Sequence, residues 1–197
     1  MTELTDEQLI SRYLKQGDEE SLELLIARHL SPVYNFVLRY AGSPAAAEDI
    51  VQETFVKAWK NLKKFDPDKN FKTWIFRIAR NSSIDYLRKK QSLVFSDFDT
   101  QDQGNFLTDS LQDPAPLPLD VLQAGDFAAE FESSLRQLPE ASRLVLLLHL
   151  QEDLTFKEIA EKLKQPLDTV KSRYRRGLIA LRKILEYQKA RQGHKLI

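Results

Sequence analysis

Residues 165–185 read QPLDTVKSRYRRGLIALRKIL, and their charges recur at helical spacing. Lys171, Ser172, Arg175, Arg176 and Lys183 fall on one side of such a helix; Leu167, Val170, Tyr174, Leu178, Leu181 and Leu185 fall on the other. Cations in that array bind anions, and their spacing suits the phosphates and base edges of a DNA groove. The preceding segment, TFKEIAEKLKQ, forms a second short helix opened by a capping box of Thr155 and Glu158. The pair has the length of a helix-turn-helix. Its alternative is a helical hairpin with a charged outside. Lys164 stands where the helix-turn-helix usually has glycine, and Gln165 where it has an apolar residue. Lysine in a left-handed turn is unfavourable by roughly 1 kcal/mol. Ile179 interrupts the basic side, so the DNA surface is expected to end before it.

A second array occupies residues 70–90. Thr73, Arg77, Arg80, Asn81, Ile84 and Arg88 share one stripe bordered by Trp74, while Phe71, Ile75, Ile78 and Ala79 face elsewhere as core. Arginine and asparagine with an aromatic at the rim suit a nucleic-acid backbone with unstacked bases. A solvated basic face with Trp74 buried fits equally. On the helix over residues 47–62, Ala47, Val51, Phe55, Ala58 and Leu62 form the core stripe. Asp49, Gln52, Glu53, Val56 and Lys60 lie outside, with Trp59 at the edge. That outer side reads as ordinary solvated surface or, given the tryptophan, as a protein contact.

Enzyme chemistry finds no support. No Gly-rich phosphate loop, nucleophile elbow or HExxH motif occurs. His29, His149 and His194 are far apart, and the first two sit in apolar helical context as packed residues. Asp49 with Glu53 completes neither a metal site nor an acid–base pair. We expect no catalytic residue, no metal, no cofactor and no small-molecule substrate. The chain has no cysteine, no apolar run of the ~18 residues a membrane span needs, and no signal-peptide pattern at residue 1. A soluble cytoplasmic protein without membrane insertion is expected.

The elements that must position these arrays are helical throughout. Thr5 with Gln8 opens a first helix, and Leu22 to Tyr40 a second, with a bend expected at Pro32. Ser43 and Pro44 open a third, to about Leu62. FDPDKN, residues 65–70, is a loop, and a fourth helix spans about Asn70–Lys90. Helices resume at about Phe127–Leu138, and another follows Pro139 through Leu150. Between them Asp, Gln, Pro, Gly and Ser dominate, and the segment reads as an extended linker. The fold class is all-α: a four-helix domain over 1–92, an acidic flexible linker over 93–127, a helix-turn-helix domain over 128–190, and a tail over 191–197. Net charge is zero, yet residues 93–132 carry nine carboxylates and no base, while residues 133–197 carry 14 bases against seven acids. Two basic regions, 65–92 and 133–197, are thus joined by an anionic strap.

AEDIVQETFVKAW, FDPDKNFKTWIFRIARNSSIDYLRKK and LPEASRLVLLLHLQEDLTFKEIAEKLKQPLDTVKSRYRRGLIALRKIL, in that order, resemble the extracytoplasmic-function (ECF) sigma factors of the sigma-70 class. The resemblance covers about residues 5–92 and 130–187. The departures are the Lys164–Gln165 turn and Asp168, where the family commonly has a small residue. The resemblance implies a sigma region 2 and a sigma region 4 that bind core RNA polymerase and direct it to promoter DNA. It implies polymerase contact through Asp49, Gln52, Glu53, Val56 and Trp59, the first domain meeting a coiled coil of the largest subunits. It implies minus-ten recognition and melting through Asp66, Lys69, Asn70, Lys72, Arg77, Arg80, Asn81 and Arg88, with a flipped base held by the 66–70 loop and Asn81. Minus-thirty-five recognition falls to Thr169, Lys171, Ser172, Arg175 and Arg176. An anti-sigma factor is a further implied partner.

Two other readings stay open. A self-sufficient helix-turn-helix regulator would bind duplex without polymerase, and an interaction protein would use neither basic face. The acidic strap suggests that residues 97–120 enter a basic polymerase channel along the path of nascent RNA, as an anionic stand-in.

Overall fold

A computed structural model describes residues 4–97 and 125–193. Thr5 caps α1 (Asp6–Gln16): its backbone N–H donates to Gln8 Oε1 at 3.0 Å, and Gln8 N–H returns to Thr5 Oγ1 at 3.3 Å. Gly17, at φ 67°, takes the left-handed conformation that ends the helix. Asp18 then caps α2 (Glu19–Ala41). α2 runs through Pro32 as one helix, as the sequence reading has it. Proline removes one hydrogen bond, and Pro32 is exposed, so water can serve the orphaned carbonyl.

Ser43 caps α3 (Pro44–Asn61), with proline in the first turn as expected. A 3₁₀ turn, Leu62–Lys64, carries the chain to Phe65 and the 66–70 loop. Next comes α4 (Phe71–Asp97). It extends seven residues past the expected end at Lys90, into what reads as linker. No glycine or proline interrupts residues 91–97, and adding residues to a formed helix costs little. The remainder of the acidic strap, including most of the segment suggested to enter a polymerase channel, lies outside the described residues.

The chain divides into two compact units, Met1–Leu87 and Arg88–Ile197. In the first, Leu9, Leu25, Val33, Val37, Ile50 and Ile75 form a fully buried core. Its first helix is pinned by charge as well as by burial. Asp6 accepts from Arg28 Nη1 at 2.6 Å and meets His29 Nε2 at 2.7 Å. His29 is buried and packs edge-on against Phe71, a structural role in keeping with its apolar context.

The second unit contains α5 (Gly125–Arg136), α6 (Glu140–Leu150), α7 (Phe156–Leu163) and α8 (Leu167–Gly193). Residues Leu144 to Leu148 are buried on every side of α6, so this helix is the unit's hub. Arg143 is buried beside them. Its Nη1 donates to the carbonyls of Arg136 at 3.3 Å and Leu138 at 3.1 Å, stitching the α5–α6 turn. Desolvation pulls its pKa below the ordinary arginine value, while Glu140 opposes the shift. Among the described residues no helix is long and apolar enough to cross a membrane.

Two sequence expectations about helix faces need correction. Ile84 does not share the Arg/Asn stripe of α4; it is 2% exposed, along with buried Ser82, Ser83 and Leu87. Past Asn81 the buried face of α4 widens to take in Ser82 and Ser83, and Ile84 falls inside it. Leu167 is 39% exposed, because it opens α8 at the surface rather than lying over the core.

Gly177 has no place in the periodicity reading, yet α8 needs it. A Cβ there would stand 2.8 Å from Leu146 Cδ1 and 3.3 Å from Ser142 Cβ, and both neighbours are buried. Gly177→Ala should gain helix propensity but lose more to overpacking, for a net destabilisation of about 1 kcal/mol. Both tryptophans lie in the first unit. The calorimetric transition of the second unit should therefore move down while the tryptophan-fluorescence transition stays in place.

Candidate nucleic-acid interface

The outer face of α3 is built as its periodicity suggests. Asp49, Gln52 and Val56 are exposed, and Glu53 is half-buried in an i,i+4 ion pair with Lys57 at 2.8 Å. Trp59 is 56% exposed, a large apolar ring left at the surface. Its Nε1–H donates to the hydroxyl of Tyr13, on α1, at 2.7 Å.

The loop after Phe65 is ordered by its own polar groups. Asp66 accepts from the backbone of Asp68 at 3.2 Å and lies 3.6 Å from Lys69 Nζ; the Lys69 N–H closes the turn on the Asp66 carbonyl at 3.0 Å. Asn70 caps α4, its Oδ1 accepting from Thr73 N–H at 3.0 Å. That bond uses only the side-chain oxygen and leaves the amide nitrogen to donate. Phe65 and Phe71, both buried, hold the loop's ends together at 5.5 Å between rings, and Trp74 packs on each at 5.3 and 5.6 Å. Trp74 is therefore half-buried, with one side in this cluster.

Its other side opens onto a groove of about 570 Å³, lined by Lys57, Asn61, Lys64, Trp74, Arg77, Ile78, Asn81 and Ser82. The groove brings together Arg77 and Asn81 from the expected stripe with three residues that sequence reasoning missed. Lys57 and Asn61 near the end of α3 and Lys64 in the 3₁₀ turn recur at i, i+4 and i+7, a signal present in the sequence that the reading of α3 left out. Lys57 reaches over to donate to Ser82 Oγ at 3.1 Å, and Asn61 turns back to the Lys57 carbonyl at 2.9 Å. Lys72 is exposed, 6.0 Å above the Phe76 ring. Arg80 and Arg88 are half-buried and engaged within the chain, so neither lines the groove.

In the second unit the α7–α8 pair has helix-turn-helix form. The Thr155–Glu158 capping box is complete: Thr155 N–H and Oγ1–H both reach Glu158 Oε2, at 2.8 and 2.7 Å, and Glu158 N–H returns to Thr155 Oγ1 at 3.3 Å. Lys164 is left-handed, φ 55° and ψ 47°, and Gln165 N–H closes on the Ala160 carbonyl at 3.0 Å. This is the strained lysine turn that the sequence implies. Gln165 also has work at its unusual position: its side-chain oxygen accepts from Arg173 Nη1. Arg173 is consequently buried on α8 and faces no groove. On the opposite arc Lys171, Ser172 and Arg176 are exposed, and Thr169 and Arg175 are half-buried. Below them Val170, Leu178, Leu181 and Leu185 are buried. The ring of His149 stacks on Phe156 at 4.4 Å and meets Tyr174 edge-on at 4.9 Å, bracing the two helices; burial raises the Tyr174 pKa.

Residues 25–93 match the family model described as Sigma-70 region 2, and residues 128–181 match Sigma-70, region 4. The chain is 32% identical over 175 residues to the ECF RNA polymerase sigma factor SigW of Bacillus subtilis, covering 88% of this chain and 94% of that protein. It is 32% identical over 183 residues to the ECF RNA polymerase sigma-E factor of Escherichia coli, covering 91% and 93%. An engineered region 2 of sigmaE, solved in complex with GTAAAA, is 39% identical over 48% of this chain and 98% of that one, at a TM-score of 0.44.

The turn and its cap make two expectations. Lys164→Gly removes the left-handed strain at some entropic cost and should stabilise the second unit by about 0.5–1 kcal/mol, read by calorimetry. The Glu158 carboxyl is held below the ordinary glutamate pKa, first by the Thr155 hydroxyl and then by the Thr155 backbone N–H. A lowered folded-state pKa stabilises above the unfolded value and is lost as pH falls through the folded one. Glu158→Gln keeps an acceptor without that titration. Acid unfolding of the second unit should then be shallower in the variant than in the parent, below the usual glutamate range.

Proposed function

The chain belongs to the ECF sigma factors of the sigma-70 family and directs RNA polymerase in transcription initiation, and from that premise we propose how its surfaces divide the work. Core polymerase sits on the outer face of α3, through Asp49, Gln52, Glu53, Val56 and Trp59. Carboxylates around an exposed tryptophan suit a cationic, partly apolar helical surface such as a coiled coil. The minus-ten strand runs over the other flank. Asp66, Lys69, Asn70 and Lys72 lie at the loop and helix start, while Arg77, Asn81, Lys57, Asn61 and Lys64 line the groove. Arg80 and Arg88, half-buried and outside the groove lining, complete the cations assigned to the minus-ten strand.

The single observation that carries this reading is the split character of α3. One flank presents carboxylates and Trp59, and the other lines a cationic groove with α4. One helix thereby ties polymerase binding to strand capture. Opening duplex costs about 1.4 kcal/mol of stacking per step, and each captured base returns about 1–3 kcal/mol. Two or three such captures offset local melting. The outer arc of α8, with Lys171, Ser172 and Arg176 exposed and Thr169 and Arg175 half-buried, offers no aromatic platform and takes duplex in the major groove at the minus-thirty-five element.

The protein acts in the cytoplasm, performs no catalysis of its own, and is restrained by an anti-sigma factor. In transcription from promoter templates at ~150 mM salt, held constant because phosphate contacts are salt-sensitive, full-length chain plus core polymerase should select start sites. A Lys171→Glu, Arg175→Glu, Arg176→Glu chain should still co-purify with core and lose that selection by at least tenfold, since each lost base contact is worth about 1–3 kcal/mol. Undiminished selection by this variant would remove the second unit from promoter recognition.

A further inference from the structure

Trp59 presents a difficulty for any partner that covers it. An indole N–H buried beneath a protein surface without an acceptor forfeits its hydrogen bond to water. Here that donor is already occupied, by the hydroxyl of Tyr13 at 2.7 Å from a residue 46 positions away. Tyr13 is well placed to hold it. Its ring is half-buried against the core of the first unit. The helix that carries it is anchored at its other end by Asp6, whose carboxylate is gripped by Arg28 and His29. The acceptor is therefore fixed before any partner arrives, while Trp59 as a residue stays 56% exposed.

We propose that Tyr13 is a positioning residue for polymerase binding: it satisfies the Trp59 N–H in advance and holds the ring so that an apolar partner surface can cover it without orphaning a donor. This rests on the reading of the α3 outer face as the polymerase contact. It extends that contact's machinery to α1, a helix that precedes both family-model matches.

Tyr13→Phe keeps the ring and removes only the acceptor, so it separates positioning from packing. In equilibrium binding of the full chain to core polymerase, Tyr13→Phe should weaken affinity roughly tenfold, the scale of one unsatisfied buried donor. In a Trp59→Phe background the donor no longer exists, and Tyr13→Phe should then change affinity less than twofold. In the free protein the two indole N–H resonances give a second readout: Tyr13→Phe should shift the Trp59 signal, identified by its loss in Trp59→Phe, and leave that of Trp74 in place. The unshifted Trp74 signal also certifies the fold. Wild-type affinity for Tyr13→Phe, alongside clear loss for Trp59→Ala, would overturn the positioning role and spare the α3 contact. Wild-type affinity for Trp59→Ala would overturn both. An equal loss from Tyr13→Phe in either background would also overturn the proposal, since the hydroxyl would then act on something other than the indole.

Discussion

Each helix must bury one stripe of apolar side chains, and both working surfaces of this protein are what that burial leaves over. In α3, sinking Ala47, Ile50, Val51, Thr54 and Ala58 turns Asp49, Gln52, Val56 and Trp59 outward. In α8, sinking Val170, Leu178 and Leu181 turns Lys171, Ser172 and Arg176 outward. Nothing else is needed to segregate cations from core, because charged groups cannot enter the interior without partners. Arg143 and Arg173 show the exception and its condition. Both are buried, and both donate to oxygens placed to receive them.

Departures from ordinary local chemistry are compensated nearby. Lys164 takes a left-handed conformation that glycine would adopt more easily, and the turn retains its carbonyl-capping bonds. Gln165, polar where a helix-turn-helix is usually apolar, captures Arg173 and so converts two awkward residues into one satisfied pair. The strain at this turn is of order 1 kcal/mol, small beside the burial of α8 against α6. Tertiary packing wins over local preference here, as it does for Pro32 within α2.

The aromatic trio of Phe65, Phe71 and Trp74 links core to chemistry in the first unit. Its buried members clamp the ends of the 66–70 loop, so the loop's short polar bonds suffice to order it. Trp74 faces both ways, with one side on the clamp and one on the groove. A base stacked there would meet a ring whose position is already fixed, which lowers the ordering cost of binding.

Much of this was legible in the amino-acid order. Both capping boxes, the Ser43–Pro44 start of α3, the outer face of α3 and the exposed cations of α8 all follow from local spacing, since caps and amphipathic stripes are set within a few residues. The resemblance to sigma factors rests on the same local segments. Where periodicity misled, it was at Ile84, Leu167 and the far end of α4, places where a face's exposure depends on what lies around it. The groove joining Lys57, Asn61 and Lys64 to Arg77 and Asn81, the notch at Gly177 that admits Leu146, and the bond from Trp59 to Tyr13 were decided only by tertiary structure. Each joins residues on different helices, and helical period carries no record of which distant face a side chain will meet.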